Sequence, residues 1–166
     1  MPVLPPLALS VRQPWAWAII HAGKDVENRS AAAIRNMPAL ADLPLRVAIH
    51  AAKGLTREEY ERARDFMYDV GGVTCPPPQL LLRGGIIGSV SVTGVVATSD
   101  SFWWMGPRGL KLIHPEPCTF RPVVGALGLF KWTDASYDIV PPAAKWMLQT
   151  APKVEPKREH EQAELI

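Results

Sequence analysis

The segment Gly85-Ile86-Ile87-Gly88-Ser89-Val90-Ser91-Val92-Thr93-Gly94-Val95-Val96 limits the fold more than any other part of the chain. For most of its length it alternates β-branched residues with small polar ones, the pattern of a long half-buried strand. Its glycines permit sharp coiling, which a small closed barrel needs. The other predicted strands are shorter: residues 7–11, the extended stretch 25–29, and residues 46–52, 110–114 and 125–132. Two helices separate them. The first follows Pro14, which suits a first helical turn, and stops at Gly23 in a left-handed conformation. The second opens on a capping box, Thr56-Arg57-Glu58-Glu59, in which hydroxyl and carboxylate exchange bonds with first-turn N–H groups. Tyr60, Ala63, Met67 and Val70 then recur at helical spacing, and Gly71-Gly72 ends the helix. A short amphipathic helix is expected over 142–148, while the alanine-rich stretch 30–43 is interrupted by Pro38 and followed by Pro44. The order β-α-β-β-α-β-β-β predicts an α+β fold, a small and mostly antiparallel β-barrel with flanking helices.

The 166 residues carry a net charge of only +2, which excludes the basic coat of a non-specific DNA binder and leaves any nucleic-acid contact to a local patch. One domain is expected over 1–149, with a charged, aromatic-free and disordered tail over 150–166. Cys75 and Cys118 have no Cys or His neighbour at metal-ligand spacing, so no metal site and no cofactor is expected. They read as reduced thiols, with one disulfide as the alternative. No apolar run is long enough to span a bilayer and the N-terminus lacks a secretory pattern, so a cytoplasmic protein without a membrane partner is expected.

Chemistry concentrates in residues 10–16 and 23–29, which supply Arg12, Gln13, Trp15, Lys24, Glu27, Asn28 and Arg29 around a mostly apolar segment. Such clustering suits a cleft for a flat, polar, anionic ligand. Lys24 would neutralise phosphate or a developing oxyanion, or simply sit at a helix C-terminus where the dipole favours it. Glu27 would accept from the exocyclic amine of a base, act as general base, or brace the fold against Lys24, Arg12 or Arg29. Arg12 and Arg29 would fork onto phosphate or form structural salt bridges. Gln13 and Asn28 suit the edge of a base, with helix capping the alternative for Gln13. Trp15 would stack on a base or pack in the core, with Trp17 the more exposed of the two. His50 ends a strand beside small residues that let a ligand approach, and Lys53 adds charge at the rim; a core histidine bonded to backbone is the alternative. Ser101, Trp103 and Trp104 lie in an aromatic-polar loop that would cover the cleft as a lid or plug a barrel end.

Ser10-Val11-Arg12-Gln13-Pro14-Trp15-Ala16, Gly23-Lys24-Asp25-Val26-Glu27-Asn28-Arg29, Ile49-His50-Ala51-Ala52-Lys53, Gly85-Ile86-Ile87-Gly88 and Ser101-Phe102-Trp103-Trp104 together resemble the ASCH domain family of the PUA-like superfamily. The likeness runs from about Leu7 to Trp132. It implies a PUA-like barrel with a cleft between barrel and first helix, of the kind used for RNA or modified bases, and places Ser10 in the binding set. Some ASCH-like proteins are ribonucleases, and a related branch removes the acyl group from acetylated cytidine. That branch has a Thr three positions after the Lys, where this chain has Glu27. The family also commonly has an aromatic residue just after the Asn-Arg pair, where this chain has Ser30-Ala31.

The leading expectation is therefore a protein that holds one unstacked nucleotide or modified base, with RNA, another single-stranded nucleic acid or a nucleoside as partner. The alternative is a metal-independent ribonuclease, or an amidohydrolase on a modified nucleoside, with Lys24, Glu27 and His50 as the catalytic groups of the same cleft.

Overall fold

The computed structural model describes residues 3–149; the predicted disordered tail over 150–166 lies outside the described residues. Strand β4 (Gly85–Val96) lies inside a six-stranded sheet of order β2-β5-β4-β3-β1-β6. Its companions are β1 (Leu7–Val11), β2 (Val26–Arg29), β3 (Leu45–Ala51), β5 (Arg108–Pro122) and β6 (Leu129–Lys131). β1 and β3 run parallel, and every other neighbouring pair is antiparallel. Three register shifts between β4 and β5, and a fourth between β3 and β4 at Ile49/His50, bend the sheet, as bulges do by sharpening local twist. The bend is large. Three strands separate β2 from β1 in the hydrogen-bonding order, yet Arg29 on β2 donates to the Ser10 carbonyl of β1 at 2.5 Å. The fold is thus α+β, with the sheet curled into a half-barrel and β2 and β6 as its edges.

Helix α1 (Trp15–His21) is buried on two sides. Ala16, Ile19 and Ile20 meet Leu9, Ile49, Val90 and Leu110 of the sheet, while Ala18 faces Tyr60, Ala63 and Met67 of helix α3 (Arg57–Gly71). Each fully buried Leu or Ile of this core contributes about 1.5–3 kcal/mol. Gly23 takes the expected left-handed turn at φ 72° and sends the chain back along β2. The alanine-rich stretch folds as α2 (Ala31–Arg35), capped by Ser30, and a 3-10 turn at Pro38–Ala41. α4 is a single turn, Lys145–Leu148.

Four expectations need correction. Val70 is exposed rather than part of the α3 core, because the last turn of the helix extends beyond the surface it covers. Thr56 accepts from the Glu59 N–H at 3.1 Å, but the Glu59 carboxylate is drawn to Arg12 and leaves the capping box half-made. β5 does not stop at His114 but runs on to Pro122, with His114 itself at φ 54°. β6 is only three residues long, since 125–128 form a loop closed by Gly128 at φ 67°. Cys75 and Cys118 are both free, and burial pushes the Cys75 thiol up to about 11.

Candidate functional site

The turn at Gly23 aims Lys24 inward, and the register of β2 puts Glu27 and Arg29 on one face of that strand. Lys24 Nζ lies 3.1 Å from Glu27 Oε2, with side chains only 2% and 11% exposed. The same ammonium donates to the Val26 carbonyl and lies 5.7 Å from the centroid of Trp15. Arg29 Nε stands 3.5 Å from Glu27 Oε1. Neither cation has a second ion-pair partner among the described residues. One carboxylate therefore serves two cations, and the cluster keeps an excess positive charge under Trp15. Desolvating an ion disfavours it strongly unless a counter-charge is at hand, so an unbalanced buried trio is an unusual way to brace a fold.

Arg29 links this cluster to a second group. Its other end bonds to the Ser10 carbonyl, and Ser10 is the register partner of His50 on β3. His50 is 2% exposed, and its Nε2 lies 2.9 Å from the Val123 carbonyl. A carbonyl only accepts, so Nε2 carries the proton and Nδ1 is left with a lone pair. Among the described residues, Arg29 Nε and His50 Nδ1 are the two buried side-chain nitrogens without a hydrogen-bond partner, and such orphans call for a physical explanation. Burial lowers the His50 pKa below the ordinary histidine value, the Val123 bond opposes this, and the Lys53 charge adds to it.

A group whose folded pKa is depressed loses stabilisation as pH falls from its unfolded value near 6.5 through the folded one. The melting temperature is therefore expected to drop between pH 7 and pH 5, with a shallower drop in His50→Phe. Equal slopes in the two proteins would mean that His50 is not held neutral.

The single cleft expected from the sequence is divided into three hollows. Lys24, Glu27, Asn28, Trp15 and Met105 line a small one of about 100 Å³. Arg12, Gln13 and Trp15 line one of about 390 Å³ against Thr56, Glu58, Glu59 and Arg62 of the α3 end. Ser10, His50 and Lys53 line the third, about 410 Å³, closed by residues 124–127. Trp15 is shared by the first two. It is half-buried and packs edge-on against Phe66 and Trp103, with ring centroids 6.0 and 6.5 Å away. Arg12 forks onto Glu59 with both nitrogens at 2.8 Å, an exposed pair worth no more than about 1 kcal/mol and therefore open to exchange.

Several predicted contact residues are engaged inside the protein. Gln13 Oε1 accepts from the Trp17 N–H at 2.9 Å, capping α1, and its Nε2 donates to the Leu82 carbonyl at 2.7 Å. Asn28 donates to the Trp103 carbonyl at 2.9 Å and accepts from the Met105 and Gly106 N–H groups. Asn28 thus fastens the 101–106 loop to β2, helped by Ser101, which donates to Asp25. Trp103 is buried in the α1–α3 core, and Trp104 packs where a Gly109 side chain would lie. The two tryptophans are packed into the body, and Met105 is the part of this loop that borders the Lys24 hollow.

Sequence reasoning passed over Arg62 and Met105, which line hollows, and Arg83, which donates to the Lys53 carbonyl and holds that rim in place. A lone arginine between the apolar run 80–82 and the glycines of β4 was the available signal for Arg83. Among the described residues, no three His, Cys, Asp or Glu side chains gather to hold a metal, and no helix is long and apolar enough to cross a membrane. No protein-family model matches the chain, and no curated protein matches it.

Proposed function

We propose that this chain binds single-stranded nucleic acid, RNA by preference, and accepts one unstacked nucleotide or modified base where β1, β2, β3 and α1 meet. The observation that carries the reading is the buried trio in which Glu27 is shared by Lys24 and Arg29. Its excess positive charge favours an anionic or electron-rich occupant beside the face of Trp15. At about 100 Å³, the Lys24 hollow is below the roughly 300–1,000 Å³ of most ligand pockets, and so admits the edge of a base rather than a whole nucleotide. The Arg12 hollow, about 390 Å³, has room for a backbone phosphate in place of the Glu59 carboxylate that Arg12 now holds. The resemblance to ASCH domains points to the same class of ligand.

The catalytic reading has weaker support. Glu27 is committed to two cations, and His50 faces a different hollow with Arg29 between them. That arrangement does not bring Lys24, Glu27 and His50 around one scissile bond.

Fluorescence anisotropy with a labelled single-stranded RNA tests the proposal. Affinity is expected to fall with salt at a log–log slope of about −2, as for two or three phosphate contacts, and to fall at least about tenfold in Lys24→Ala and in Arg12→Ala, in line with loss of a charge-assisted bond. Unchanged affinity in both variants, with wild-type melting curves, would remove the cleft from consideration.

A further inference from the structure

We infer that the hollow beside His50 is a ribose subsite, in which His50 Nδ1 accepts the 2′-hydroxyl proton and Lys53 meets the neighbouring 3′-phosphate. This rests on the nucleic-acid reading above and specifies the sugar. The argument begins with the imidazole. Val123 fixes its tautomer, so the second ring nitrogen is an acceptor and calls for a donor. That acceptor is closed to solvent and without a partner among the described residues. Beside it, Lys53 is exposed and forms no ion pair among the described residues. Its backbone is anchored by Arg83 and its stem rests over Gly84, so the charge is held at the rim rather than swinging free.

The occupant must therefore offer a hydroxyl or N–H donor and, close to it, an anion. Ribonucleotides carry both on adjacent carbons; deoxyribonucleotides lack the donor. The walls fit a sugar ring, because Ala52, Gly125 and Ala126 are small. Gly125 matters most: a Cβ there would lie 2.5 Å from His50 Cε1, so any side chain would occupy the approach to the imidazole. The outer wall is the loop 124–127, with Leu127 97% exposed, and the proposal requires this loop to move aside for the sugar to reach Nδ1. The subsite adjoins the proposed base cleft through Arg29, which bonds to Ser10 on one side and faces Glu27 on the other.

The test compares RNA and DNA oligonucleotides of identical sequence, with uracil in both, by anisotropy on the full chain. RNA is expected to bind about tenfold tighter or more, because DNA would leave a buried acceptor unpaired. His50→Phe and, separately, Gly125→Ala are expected to bring the RNA/DNA ratio to about one. In parallel, ¹⁵N spectra of the imidazole should show the Nδ1 resonance move on adding a mixture of ribonucleoside 3′-monophosphates, and stay in place with the deoxy counterparts. Equal affinity for RNA and DNA in the native protein would overturn the subsite and leave the nucleic-acid reading intact. Absence of binding to either strand would overturn both. A ratio that survives both substitutions in folded protein would place the discrimination elsewhere and overturn the role of His50.

Discussion

Glu27→Gln is expected to lower the unfolding free energy by about 3 kcal/mol, whereas Lys24→Met should cost less than half as much. The asymmetry follows from charge. Removing the carboxylate leaves Lys24 and Arg29 with no counter-ion among the described residues. Removing the ammonium leaves a balanced Glu27–Arg29 pair, and a Met side chain fills most of the Lys stem against the indole. The figure for Glu27 is at the lower end for a broken buried pair, because Arg29 retains 19% exposure and water relieves part of the repulsion. Chemical denaturation of both variants measures the difference. If Lys24→Met proves as damaging as Glu27→Gln, the trio is a structural brace, and the excess charge on which the functional reading depends has another purpose.

The residue types of this cluster were legible in the sequence because they are poor core material, and their burial is what marks them. Their division into three hollows was not legible. It depends on Arg29 reaching the carbonyl of Ser10, and a backbone acceptor on another strand leaves no trace in the sequence. Arg12 shows the same limit. Thr56 to Glu59 form a good local capping signal, but the carboxylate goes to an arginine 47 positions away, so a long-range ion pair overrode half of a short-range motif. Gln13 and Asn28 carry amides suited to a base edge, and the same two-sided chemistry suits tying a loop to a helix start or to a strand.

The fold was more legible than the site, and the largest misreading concerns β5. The second helix was clear from Tyr60, Ala63 and Met67, which are buried as their spacing requires. Nothing local marks β5 as continuing past His114, since Pro115 and Pro117 deny donors to a ladder. The sheet accommodates them through the shift between Ser89 and Ser91 and the positive φ of His114. Bulges are set by the pairing of two strands, so neither strand alone announces them.

Gly88→Ala is expected to destabilise the protein by about 3 kcal/mol, lowering the melting temperature by roughly 6–12 °C for a chain of this size. Gly94→Ala should be neutral or slightly stabilising. Both glycines lie in β4 and look alike in the sequence. A Cβ at Gly88 would lie 2.4 Å from the Glu116 carbonyl oxygen and 2.7 Å from Ile20 Cδ1. The first contact is backbone and yields only if β5 moves; the second is the tip of the Ile20 side chain, which can turn aside, so the cost comes from the first. At Gly94 the nearest atom is Lys111 Cδ at 3.6 Å, an ordinary contact, and alanine there relieves some of the entropy that glycine loses on folding. Gly88 sits between the shift at Ile86/Gly88 against β5 and the shift at Ile49/His50 against β3, where the sheet folds over α1. A melt that shows the two alanine variants equally stable would mean that β4 and β5 do not approach this closely. The curl that brings β2 back against β1 would then need a different origin, and with it the link from Arg29 to Ser10 that joins the two halves of the proposed site.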